Sequence, residues 1–219
     1  MSRTFIIDKC PLDEGFKLYQ SDKFTFDTGI TVLVGCNGTG KTTLLRALQY
    51  QLKHLKETES IYYKYYDNDM ESCSLGYNSL DDFRLFGALA TSSEGEKINL
   101  NIAEFVNNLF KDADKYEDSK EIWILIDSVD SGMSIDNLVY MKTFFHSAFI
   151  NKYPDKDIYV VVSTNSYETA RGENCMDVRT AKYIKFDDYE EYRKFILKSR
   201  KDKEKRNEEY SKYLENNED

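Results

Sequence analysis

Short apolar runs alternate along the chain with segments whose apolar residues recur every three or four positions. The runs at residues 30–34, 122–126 and 158–162 read Ile-Thr-Val-Leu-Val, Ile-Trp-Ile-Leu-Ile and Ile-Tyr-Val-Val-Val. Nearly continuous runs of this kind suit strands covered on both faces of a parallel sheet. Residues 4–7, 24–26, 61–66 and 183–186 give shorter strand candidates, with Thr28-Gly29 as a turn. Leu44, Leu45, Leu48, Leu52 and Leu55 lie on one face at helical spacing. Helical spacing also marks residues 83–90, residues 98–110, and a segment carrying Ile135, Leu138, Phe145 and Phe149. Residues 67–82 are polar and read as a loop. Asp188 followed by Glu191 matches a capping box. It predicts a last helix over about residues 188–216, with Tyr189, Tyr192, Phe195 and Ile196 on one face. Strands alternating with helices predict an α/β fold with a largely parallel sheet. Residues 1–219 form one expected domain, with a small helical lobe over about residues 67–118.

Composition narrows the class. Apolar residues are 41% and charged residues 32% of the 219, with two prolines, which excludes wholesale disorder. No stretch reaches the roughly 20 apolar residues of a membrane span, and the N-terminus is too short in apolar residues for a signal peptide. The cysteines, Cys10, Cys36, Cys73 and Cys175, form no Cys-x-x-Cys pair, so a reducing, cytoplasmic setting is expected. A net charge of −9 disfavours indiscriminate binding to nucleic acid or anionic membrane, while leaving room for a local basic patch.

The chemistry is carried by Gly35-Cys36-Asn37-Gly38-Thr39-Gly40-Lys41-Thr42, which fits G-x-x-x-x-G-K-[ST] at every fixed position. It follows a predicted strand and opens a predicted helix, the context a phosphate-binding loop requires. Glycines let backbone N–H groups converge on phosphate oxygens, and the helix N-terminus adds a favourable dipole. Lys41 is expected to reach the β- and γ-phosphates, and the Thr42 hydroxyl to ligate magnesium. Asp127, at the end of the run 122–126, supplies a carboxylate for the metal, directly or through water.

On these features the chain resembles the ATP-binding cassette (ABC) ATPase superfamily. The likeness is to its soluble branch, with RecF-like and structural-maintenance-of-chromosomes (SMC) heads and small phage and bacterial AAA-family ATPases. The phosphate loop has the form Gly-x-Asn-Gly-x-Gly-Lys-Thr-Thr over residues 35–43, ending in Thr43. Ser92-Ser93-Glu94-Gly95-Glu96 is similar to a degenerate signature motif. Residues 127–136 resemble a Walker B segment running into a D-loop, and residues 160–166 a switch strand. The resemblance implies ATP and Mg²⁺ as cofactors. It also implies a head-to-tail homodimer in which Ser93, Gly95 and Glu96 of one chain close on the nucleotide held by the other. Residues 92–96 fit a plain helix cap equally well.

Two positions depart from that pattern. The residue after the Walker B Asp is Ser128, not Glu, and a serine hydroxyl is a poor general base near neutral pH. The switch histidine position holds Asn165, which can hydrogen-bond a phosphate but cannot shuttle a proton. Asp130 and Asp136 are the nearby carboxylates that could substitute. Ser128, Asp130 and Asn165 are thus the candidate catalytic positions. No glutamine follows the strand 61–66, where Asp67 and Asn68 stand instead. Phe16 and Tyr19 are candidates for adenine stacking, with a core aromatic the favoured reading for each. The segment between Thr43 and Ser92 is about fifty residues, far below the hundreds a coiled-coil arm needs, so the cassette is armless.

Residues 198–206 hold six basic and two acidic side chains. They suit either nucleic-acid phosphates or a solvated helix with i,i+4 ion pairs. The expected function is an ATPase that dimerises around Mg–ATP and turns over slowly, coupled to a protein partner in DNA maintenance or phage–host conflict. The alternative is a nucleotide-gated clamp without hydrolysis.

Overall fold

The computed structural model describes residues 1–9, 16–67, 105, 108–109, 112, 118–131 and 133–216. Two sheets form. Strands β1 (Ser2–Ile6) and β2 (Lys23–Asp27) make an antiparallel pair. The main sheet holds β3 (Gly29–Val34), β4 (Ile61–Asp67), β5 (Glu121–Asp127), β6 (Asp157–Ser163), β7 (Asn174–Asp177) and β8 (Lys182–Ile184). Its order is β4-β5-β6-β3-β7-β8, parallel throughout except for β8 against β7. The described helices are α1 (Lys41–Leu55), α2 (Ile135–Phe144), the short α3 (Tyr167–Ala170) and α4 (Tyr189–Glu215). α2 runs on into a π-helical turn over Phe145–Ile150. No described helix is long and apolar enough to cross a membrane.

The period-two alternation of the central strands divides the core between the two faces of the sheet. One face buries Ile30, Val32, Ile124, Ile126, Val160 and Val162 under Leu138, Met141, Phe145 and Phe149. The other buries Leu33, Trp123, Leu125, Tyr159 and Val161 under Leu44, Leu45, Leu48 and Leu52 of α1, together with Phe5, Phe24 and Phe26 of the β1–β2 pair. Trp123 stacks flat on Tyr159 at 4.0 Å and meets Phe5 edge-on at 5.2 Å. Burying such rings on both sides explains why these strands read as unbroken apolar runs.

The expected fold class holds: a mostly parallel sheet flanked by helices. Three details differ from expectation. Strand β7 has no apolar run; it is held by pairing with β3 and β8, and only Cys175 and Met176 are buried. Ile135 shares the helical apolar spacing of Leu138, Phe145 and Phe149 but is 64% exposed, because α2 begins with it and only the following turns reach the sheet. The capping box forms one residue off its ideal: Asp188 accepts from Glu191 N–H at 2.9 Å, and the Glu191 carboxylate reaches back to Asp187 N–H at 3.0 Å. Of the predicted lobe, Phe105 and Leu109 are helical and buried with Tyr66; the predicted helix 83–90 lies outside the described residues. Cys10 and Cys73 lie outside them too, while Cys36 and Cys175 are free and buried.

The chain leaves β3 toward β4 at one edge and returns from β6 to β7 across β3. The ends of β3, β5 and β6 therefore open at a switch point of the topology, where parallel α/β sheets form their clefts.

Candidate functional site

The loop between β3 and α1 owes its shape to glycine. Gly35, Gly38 and Gly40 have φ of +147°, +79° and +98°. At Gly40 a Cβ would stand 2.7 Å from Leu18 Cδ2 and 2.9 Å from Tyr19 Cε1, so a side chain there meets both strain and collision. Tyr19 lies beneath this point, buried, and donates its hydroxyl to Gly40 O at 2.8 Å. Burial pushes its phenol well above the ordinary range. Tyr19 is therefore a support of the loop rather than a free ring for a base. Phe16 packs edge-on against Tyr210 at 4.8 Å and beneath the Arg206 guanidinium.

Lys41, the first residue of α1, turns its ammonium back into the loop. It donates to Gly35 O at 2.7 Å, Cys36 O at 3.3 Å and Asn165 Oδ1 at 3.0 Å. Burial pulls its pKa below the ordinary lysine value, while Cys36, Asp130 and Asp127 push the other way. Thr39 is buried and donates to Cys36 O at 2.8 Å, so its side chain closes the loop and does not face a ligand. The Cys36 thiol turns to Asn37 O.

A cavity of about 180 Å³ opens against this loop. Asn37, Gly38, Gly40, Lys41, Thr42 and Thr43 form one wall, and Ser128, Asp130, Ser163, Thr164 and Asn165 the other. The ends of β5 and β6 thus face the loop, as the strand order requires. Asp127 lies behind the second wall and is 1% exposed. Its Oδ1 accepts from Ser128 N–H at 3.0 Å and from the Ser163 hydroxyl, which in turn accepts from Ser128 N–H at 2.8 Å. Ser128 is held in the left-handed region at φ +52°, a strained setting for a residue with a Cβ. Asp130 accepts Asn165 N–H at 2.9 Å, and Asn165 touches Lys41, so the two walls are linked. Among the residues lining the cavity, Asp130 is the sole carboxylate. Asp136 sits in the first turn of α2 on the surface, where the Ser134 hydroxyl holds its carboxyl below the ordinary range.

Backbone donors at a helix start, one ammonium and a carboxylate behind a second wall can hold a polyphosphate. A magnesium ion that arrives with phosphates needs only one or two protein donors. The described residues fit: Thr42 supplies a hydroxyl in the wall, and both hydrogen bonds to Asp127 fall on Oδ1. No cluster of three or more His, Cys, Asp or Glu exists among the described residues, so no self-sufficient protein metal cage competes with that arrangement.

A family model described as an AAA domain matches residues 14–219 of the chain. The chain belongs to this AAA-domain family of P-loop ATPases. No curated protein matches it. Membership makes the loop of residues 35–43 part of a nucleotide-binding AAA domain, and magnesium is its general companion.

Within this AAA domain, most expected site residues converge, and the signature residues Ser93, Gly95 and Glu96 lie outside the described residues. Asp67, where the family resemblance implies a glutamine, is buried and pairs with Arg46 at 3.5 Å. His54 packs on Tyr50, and His146 meets Glu173 at 3.1 Å, so neither faces the cavity. Two features were not foreseen. Ser163 organises Asp127, although a serine ending an apolar strand carries no distinctive signal. The C-terminal helix α4 contacts the loop through Ser199, Lys203 and Arg206, across more than 160 residues of chain.

Proposed function

We propose that this AAA domain is an ABC-type ATPase of the RecF/SMC-head-like branch, armless, which closes into a homodimer around Mg–ATP and hydrolyses it slowly. The observation that carries the reading is the cavity between the phosphate loop and the β5–β6 ends. Lys41 is in place there, Asp130 is the sole carboxylate, and the Walker B glutamate position holds Ser128. Nucleotide phosphates would take Lys41 and the N–H groups opening α1. Thr42 and Asp127 would hold the magnesium, which offsets phosphate charge. Asp130 is left as the acceptor nearest an attacking water, with its orientation set by Asn165 N–H. Ser93, Gly95 and Glu96 of a second chain would complete the site.

A non-hydrolysing, nucleotide-gated clamp is the second reading, favoured by Ser128 and by Asn165 at the switch position. In either case open and closed states would signal to a protein partner in the cytoplasm, in DNA maintenance or phage–host conflict. Nucleic acid has a weaker case. Four of the six basic residues in the run are already engaged: Lys203 and Arg206 on the loop, and Arg200 and Lys205 in i,i+4 contacts with Glu204 and Glu209.

The test is equilibrium binding and light scattering on one preparation. Mg–ATP should bind wild type, fail to bind Lys41→Ala, and convert monomer to compact dimer. Ser93→Arg should bind Mg–ATP and stay monomeric. Unchanged mass with saturating Mg–ATP sinks the dimer, and normal affinity in folded Lys41→Ala sinks the nucleotide site.

A further inference from the structure

The charged half of α4 is docked on the phosphate loop. The Ser199 hydroxyl accepts Cys36 N–H at 3.1 Å. Lys203 Nζ donates to Asn37 O at 3.0 Å. Arg206 Nη2 donates to Gly38 O at 3.3 Å, and Nη1 to Leu18 O at 3.2 Å. Successive loop residues, Cys36, Asn37 and Gly38, are therefore each held by α4. The helix is itself anchored: Arg179 pairs with Asp202 at 3.0 Å, and the Arg206 guanidinium lies 5.1 Å over the Phe16 ring.

No α4 residue lines the cavity, so the helix grips the loop from outside. A trans peptide is planar, with its C=O and N–H on opposite sides. Fixing the Asn37 carbonyl on Lys203 turns Gly38 N–H away from α4, toward the cavity that Gly38 lines. A cation on a carbonyl also polarises its peptide and strengthens the N–H at the far end. Gly38 has a φ of +79°, and a Cβ placed on it would meet Lys203 Cδ at van der Waals distance, 3.4 Å, so the lysine stem lies directly against the loop.

Lys203 and Arg206 have no carboxylate partner among the described residues. Burial and the neighbouring Arg179 push the Arg206 guanidinium below its ordinary range, so its charge is held there at a cost. Two unneutralised cations held behind the loop are what an incoming polyphosphate would offset.

We propose that α4 is a brace of the phosphate loop, with Lys203 and Arg206 as positioning residues for nucleotide binding, so that nucleotide and helix stabilise one another. This rests on the nucleotide reading of the same loop. Reciprocity follows from linkage: whatever α4 adds to nucleotide affinity, nucleotide must add to the docking of α4. The helix thereby becomes the element through which an occupied loop is sensed elsewhere.

Two measurements test it. The first is calorimetric titration of Mg–ATP into wild type, Lys203→Met, Arg206→Met and Arg200→Met. The methionines keep the stems and remove the charge. Loss of either brace cation should weaken binding about tenfold, as expected for a charge-assisted hydrogen bond. Lys203→Arg should restore it. Arg200→Met removes an equal charge that does not touch the loop and should stay within about twofold of wild type. The second is hydrogen exchange on unmutated protein, where Mg–ATP should slow exchange in residues 196–210 as well as 35–43. If wild type binds Mg–ATP while Lys203→Met and Arg206→Met bind equally well, the brace is overturned. Exchange over residues 196–210 unaffected by nucleotide overturns it as well. If wild type binds no Mg–ATP and Lys41→Ala is indistinguishable from it, the nucleotide reading itself has failed.

Discussion

The two walls of the cavity are built on different terms. The loop wall is made of backbone: positive φ at Gly35, Gly38 and Gly40, the start of α1, and one ammonium. These are the parts that a phosphate-binding loop uses. The wall at the ends of β5 and β6 depends on side-chain chemistry: Ser128 and Asn165 stand there, at the positions that the proposed ABC-type reading gives to a glutamate and a histidine. These side chains are not left loose. Ser128 is pinned by Asp127 and Ser163, and Asn165 by Asp130 and Lys41. On that reading, holding a nucleotide and cleaving it are separable demands, and the second wall serves geometry more than proton transfer.

The largest effect should come from the loop wall. Lys41→Ala removes the one ammonium in the loop and should lower Mg–ATP affinity by about a hundredfold or more, read by calorimetry against an unchanged circular dichroism spectrum. Next is the bend itself. Gly40→Ala puts a Cβ into Leu18 and Tyr19 at positive φ, and should destabilise the fold by about 1–3 kcal/mol while abolishing binding. A thermal melt matching wild type would mean that the loop relaxes freely.

The second wall should change turnover rather than binding. Ser128→Glu restores a carboxylate and should raise turnover about ten- to hundredfold with little change in affinity. Asp130→Asn should lower whatever turnover exists, because it removes the carboxylate lining the cavity. A brisk wild-type rate lost in Asp130→Asn would move the decisive role from position 128 to 130. The smallest effect concerns support. Tyr19→Phe deletes the hydrogen bond to Gly40 O and should cost about 1 kcal/mol of stability, checked by denaturant titration.

What the sequence made legible follows the same division. Strands β3, β5 and β6 and helix α1 were readable because both sheet faces are buried and α1 shows a leucine stripe to one of them. The loop was readable because its glycines answer to local backbone geometry. Strand β7 was not, since Asn-Cys-Met-Asp gains its place from ladder pairing rather than from apolar pattern. The docking of α4 was not either. A run of lysines and arginines has one appearance whether its cations face water or the carbonyls of a distant loop, and only tertiary placement decides. Part of that run does behave as a solvated helix face, with Arg200 and Glu204 at 3.0 Å. Position 128 was legible as a chemical departure, but its left-handed backbone and its tie to Ser163 arise from the packing of β5 beside β6.

The central claim is that the phosphate wall works while the hydrolytic wall is weak. A single-turnover experiment tests it most directly: limiting radiolabelled ATP with magnesium and excess protein, with bound nucleotide and released phosphate followed in the same samples. The account predicts rapid, Lys41-dependent capture followed by phosphate release far slower than the roughly 10 per second typical of enzymes. Capture and cleavage proceeding together at that typical rate, or no Lys41-dependent capture at all, would contradict it.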